Sequence, residues 1–190
     1  MRTLINSVFL MMMACSVSQP PDPQPEPVSQ PYPVVFKSEP ELIPVRGSMK
    51  SVGKWRHPPR IIVCDHALVD QLDLREAVAW WGTRGYPIES MSWNGSAPSC
   101  VGTMPWEFHT ITIMLPTTGY NFQNYGSTTI YHEDGMLLGV TIEISDPRER
   151  VLEHELGHSL GWLHWAQRGH MMHPEWRLGG WHDAGLSVGE

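Results

Sequence analysis

Residues 146–164 restrict the backbone of this chain more than any other stretch. Asp146-Pro147-Arg148-Glu149 predicts a helix start. Asp146 can cap, Pro147 suits the first helical position, and Glu149 completes a capping-box-like pair. Leu152, Leu156, Leu160 and Leu163 then recur at helical spacing and predict a stripe facing the core. His154 and His158 are i and i+4, so both lie on one side, away from most of that stripe. Two imidazoles so placed can reach one metal ion. His164 is a candidate third ligand, but in an unbroken helix it would sit roughly 9 Å further along the axis, on a different face. Three ligands of one ion must nearly touch. The helix must therefore end between His158 and His164, and Gly161 is the residue that tolerates the turn.

The rest of the sequence divides by composition. Arg2 and the apolar run Val8–Ala14 read as an export signal over residues 1–14. Met12-Met13-Ala14-Cys15 resembles a bacterial lipobox, which implies lipid on Cys15; the alternative is an ordinary cleaved signal. Residues 15–57 read as a tether. Nine prolines fall between Pro20 and Pro44. They favour extended polyproline II over a packed core. An inhibitory pro-segment is the other reading of that stretch. Residues 58–190 read as one folded domain.

Within that domain, strands are expected at Arg60–Cys64, Ile88–Trp93 and Thr110–Leu115, and a helix at Leu68–Thr83. A hairpin joins Thr128–Glu133 to Met136–Ile144 through Asp134-Gly135, a pair suited to positive φ. This order of elements predicts an α/β fold with a mixed sheet. Three cysteines are present. With Cys15 lipidated, Cys64 and Cys100 can pair in an oxidising compartment. The alternative is that Cys64 is a buried thiol.

Charge and composition exclude several classes. A net charge of −7 argues against a general nucleic-acid binder. No apolar run is long enough to span a membrane, so membrane contact is expected only through the lipid anchor. The nine Trp argue against disorder throughout.

His154-Glu155-Leu156-Gly157-His158-Ser159-Leu160-Gly161-Trp162-Leu163-His164 resembles the metzincin motif H-E-x-x-H-x-x-G-x-x-H at every fixed position. Met172-His173-Pro174 resembles the matrixin form of the family's Met-turn. The resemblance covers residues 146–174 directly and extends to about 60–174 through the order of elements. It implies a twisted mixed sheet with two main helices and a small C-terminal subdomain. It also implies a zinc endopeptidase acting on protein or peptide substrates, with His154, His158 and His164 on one catalytic zinc. Glu155 would activate a zinc-bound water and then protonate the leaving amine, and Met172 would floor the site. In the family an edge strand pairs with extended substrate, and by position Thr128–Glu133 would be that edge. Trp162, Trp165, Trp176 and Trp181 would surround the site. His170, His173 and His182 are left without a role. The alternative is a non-cleaving surface binding protein that retains the fold. The expected state is an exported monomer, a lipoprotein of the cell envelope or else periplasmic or secreted.

Overall fold

The structure is a computed structural model that describes residues 49–117 and 124–187, together with the backbone of residues 33–36. The signal-like stretch, Cys15 and most of the proline-rich tether lie outside the described residues.

Five strands form a mixed sheet. They are β2 (Arg60–Val63), β3 (Ser90–Trp93), β4 (Thr110–Met114), β5 (Gly126–Glu133) and β6 (Met136–Ile144). In space the order is β5-β6-β4-β2-β3. The pairs β3/β2, β2/β4 and β4/β6 are parallel, and β5/β6 is antiparallel. The antiparallel pair is the predicted hairpin. Asp134 and Gly135 both adopt positive φ, 48° and 72°, as a tight turn between right-twisted strands requires.

Two helices supply the other layer: α1 (Gln71–Gly82) and α2 (Val151–Ser159). They pack on each other, and α2 packs on β5 and β6. The parallel strands contribute β-branched residues to the interior. Ile61, Val63, Ile111, Ile113, Val140 and Ile142 meet Leu74, Trp81, Leu152 and Leu156 in one core. Thr112, of opposite alternation in β4, is also buried and donates to Ser99 Oγ at 2.9 Å. The segment bearing Ser99 is tied to the end of β2 by a disulfide between Cys64 and Cys100. Of the two readings of Cys64, the structure takes the bridged one. In the entropic picture of cross-linking, closing a loop over a separation of 36 residues stabilises by about 3–4 kcal/mol.

Three features differ from the sequence expectation. First, α2 starts later. Asp146 and Pro147 lie before the helix, Arg148 N bonds back to Asp146 O, and Val151 is the first helical residue. The capping pattern was local; the backbone bonds of Ser145 and Asp146 to Tyr125 O hold this stretch to the start of β5 instead. Leu163 falls outside the helix for the complementary reason, because α2 ends at Ser159. Second, the packed region begins before residue 58. Lys50–Trp55 lace the far end of α2 to the hairpin through Val52 N to Gly161 O, Leu163 N to Lys50 O and Leu137 N to Lys54 O. Trp55 Nε1 donates to Ser159 O at 2.8 Å. Third, a short strand β1 (Pro33–Phe36) pairs antiparallel with the outer edge of β5. Proline at the first residue of an edge strand costs no ladder bond, and Val34, Val35 and Phe36 are good strand formers. Of the expected edge Thr128–Glu133, the part from Thr128 to Tyr131 is therefore flanked on both sides, and His132 and Glu133 pair with β6 alone.

After α2 the described residues run to 187 without further helix or strand. They are held by a bridge between His170 and His182 and by Trp165 N bonding to Met172 O at 2.7 Å.

Candidate metal centre

α2 presents His154 and His158 one turn apart, as the i, i+4 spacing requires. The helix then breaks. Leu160 closes it, and Gly161 takes φ 100°. A Cβ on Gly161 would lie 2.2 Å from Gly53 O, a backbone atom. Glycine is thus required twice, for the conformation and for the approach of Lys50–Trp55. The turn returns His164 to the other two imidazoles. His158 Nε2 lies 3.1 Å from His154 Nε2 and 3.0 Å from His164 Nε2. The three ligand atoms all fall within 4.8 Å of one another, and no other such group occurs among the described residues.

The rings are oriented from behind. His154 Nδ1 donates to Met171 O at 2.8 Å, and His158 Nδ1 donates to Trp162 O at 2.7 Å. A carbonyl only accepts, so both protons sit on Nδ1 and both Nε2 lone pairs face the shared point. Burial keeps the rings neutral. It lowers the pKa of His154 to about 4 and that of His164 to about 3, and it pushes His158 well below the ordinary imidazole value. Neutral imidazole is the ligand form, so the triad can hold a metal ion.

Glu155 stands outside the triad. It is 7% exposed, and its Oε2 accepts from Thr128 Oγ1 at 2.6 Å. Burial raises its carboxyl pKa to about 7, against the opposing effect of the Thr128 hydrogen bond. Room for it is made by Gly126, where a Cβ would lie 2.8 Å from Glu155 Cγ. Glu155 and His154 both line a cleft bounded by the start of β5, the start of α2 and the segment after Met172.

Met172 is fully buried. Its sulfur lies 2.4 Å from the position a Cβ on Gly157 would take, and Gly157 falls between the two helical histidines in sequence. The Met172 amide donates to His170 Nδ1. His170 is therefore a buttress of the turn, and neither His170, His173 nor His182 joins the triad. Of the four tryptophans expected around the site, Trp176 lines the cleft. Trp162 and Trp165 pack against the core, and Trp181 is exposed on another face of α2.

Several contributors carry no motif. Thr128 and Gly126 belong to a strand whose alternation is legible, but the contact between Thr128 and Glu155 joins residues 27 apart. The carbonyls of Met171 and Trp162 are backbone groups and leave no residue-type trace. No protein-family model matches the sequence, and no curated protein matches it.

Proposed function

We propose that the protein is a zinc-dependent endopeptidase of metzincin type. The observation that carries the reading is the convergence of three neutral imidazoles beside a buried carboxyl in an open cleft. Nitrogen ligands of one tetrahedral zinc stand roughly 3.4 Å apart, given bonds of about 2.1 Å. The Nε2 separations of 3.0 and 3.1 Å are close to that value. His154, His158 and His164 would hold the ion beside the cleft that His154 and Glu155 line. Bound there, zinc supplies a Lewis acid that acidifies water and polarises a carbonyl.

The protein's own groups supply the rest. Glu155 accepts the proton of the attacking water and returns it to the leaving amine. A carboxyl held near pKa 7 suits both transfers. Thr128 fixes that carboxylate through Oε2 and leaves Oε1 for the proton. The outer edge of β5 offers strand pairing to an extended peptide. β1 uses that edge in this structure, so substrate would take the same backbone groups in its place. The disulfide fits an oxidising compartment, in line with export and a lipid anchor at Cys15. Cys15→Ser should then move the protein from the membrane to the soluble fraction.

The test is casein cleavage by purified protein, with zinc counted per molecule. Cleavage that stops with chelator, returns with zinc and is lost in Glu155→Gln supports the peptidase. One zinc per molecule without cleavage of casein or a broad peptide library would replace it with the non-cleaving binding protein.

A further inference from the structure

The cleft beside His154 and Glu155 carries charge that peptide hydrolysis does not require. Tyr125, Pro174 and Trp176 give it apolar walls, and Arg150 and Arg177 add two guanidinium groups. The ion pairs among the described residues use Arg84 and Arg148, so neither cleft arginine is matched by a carboxylate. Glu175 is the one opposing group on the lining besides Glu155, and it is exposed.

Arg150 is the more constrained of the two cations. It immediately precedes α2, four residues before His154. Its Nη2 donates to Trp176 O at 3.3 Å, and its guanidinium carbon lies 5.1 Å from the Trp176 ring centre. Gly179 leaves it space, because a Cβ there would stand 3.0 Å from Nη1. One hydrogen bond uses one of five donors, and the planar fork can still take a carboxylate. Its backbone is left-handed, φ 70°. Glycine or asparagine would adopt that conformation more easily, and strain of this kind concentrates at functional positions.

Direction follows from β1. It runs antiparallel to β5, from Pro33 opposite Tyr131 to Phe36 opposite Thr128. A peptide on this edge in the same sense passes Thr128, the partner of Glu155, before it reaches Gly126 and Tyr125. The cleft lies at that end. Its occupant is therefore a substrate residue that follows the cleaved bond.

We propose that Arg150 makes this cleft a receptor for an acidic side chain, so that the protein prefers peptides with Asp or Glu just after the scissile bond. The proposal rests on the peptidase reading and sharpens it. The test uses matched peptides that differ only at that position, Glu against Gln. The zinc-loaded full-length protein should cleave the Glu peptide at least tenfold more efficiently in kcat/KM. Arg150→Gln should erase the ratio, Arg150→Lys should restore part of it, and added salt should shrink it. A second readout is independent of turnover: the Glu155→Gln protein should bind the Glu peptide more tightly than the Gln peptide by fluorescence anisotropy, and Arg150→Gln in that background should abolish the difference. Equal cleavage of the two peptides, or a preference that survives Arg150→Gln, overturns the proposal. Absence of all cleavage overturns the peptidase reading instead, and the anisotropy ratio still decides for or against Arg150.

Discussion

α1 and α2 touch each other in one core yet obey different local rules. α1 is a conventional amphipathic helix. Asp70 is extended, φ −87° and ψ 167°, and its carboxylate accepts from the amides of Leu72 and Asp73. The residues it buries are Leu74, Ala77 and Trp81, all apolar. α2 has no side-chain cap, begins after a left-handed arginine, and buries Glu155 and His158 alongside Val151, Leu152 and Leu156. Burying a carboxyl and an imidazole opposes folding unless each finds partners. The contrast teaches that α1 buries only groups that favour packing, whereas α2 also buries polar groups that need partners. Local rules broken in one element and kept in its neighbour mark a site.

The largest expected effect falls on α2 alone. Glu155→Gln keeps the shape and the Thr128 contact but removes the proposed base. It should lower kcat/KM for peptides by about a thousandfold, or ~4 kcal/mol in barrier, with zinc content unchanged by atomic absorption. Asp73→Asn on α1 should leave both quantities alone. Equal losses from the two changes would erase the functional distinction between the helices.

Acid should separate them next. Five imidazoles, those of His154, His158, His164, His170 and His173, have folded pKa values below 6.5. Each contributes stability that is fully present above pH 6.5 and is lost as the pH falls through its folded value. Glu153 and Glu155 are raised by burial and act in the opposite sense, their contribution fading as the pH rises from 4.5 through the folded value, about 7 for Glu155. Five against two gives a metal-free protein that is less stable at pH 5 than at pH 7. Urea midpoints of the chelated protein measure this, and a flat profile would contradict neutral buried rings. Hydrogen exchange should place the acid-induced opening in α2 before α1.

Glycine gives a smaller contrast of opposite sign. A Cβ on Gly82 at the end of α1 meets nothing within 4 Å, whereas one on Gly157 in α2 meets Met172 Sδ at 2.4 Å and Trp81 Cζ2 at 2.7 Å. Gly82→Ala should stabilise by about 0.5 kcal/mol, and Gly157→Ala should destabilise by about 2 kcal/mol. Thermal unfolding reads both, and a common sign would show that α2 packs as loosely as α1 at its end.

The same contrast explains what the sequence could show. The strands, the Asp134-Gly135 turn and α1 follow from alternation and local propensity, and those elements match within a few residues. The ligand spacing and Gly161 were legible because a helix broken at one glycine is a short-range geometric fact. The start of α2 was not, because Asp146 and Pro147 satisfy a capping pattern while long-range bonds to Tyr125 hold them outside the helix. Thr128, Gly126 and Gly53 act on residues far away in sequence, so no local pattern marks them. β1 escaped because proline density governs the reading of residues 15–57, while four consecutive residues free of internal proline suffice for an edge strand.

The two N-caps provide the finest test. Asp70→Ala removes two amide bonds and should cost about 1 kcal/mol, a fall of roughly 4 °C in Tm for a domain of this size. Arg150→Gly removes a left-handed strain of about 1 kcal/mol. It also forfeits the contact with the Trp176 ring, worth about 0.5 kcal/mol at a partly exposed position, and the hydrogen bond to Trp176 O, worth about 0.5 kcal/mol. The net change should lie near zero, while the Glu-over-Gln peptide preference disappears. A helix start that can be relaxed without loss of stability, but not without loss of selectivity, serves the cleft rather than the fold. Should Arg150→Gly instead destabilise as much as Asp70→Ala, the arginine would be a packing residue, and α2 would begin by the same logic as α1.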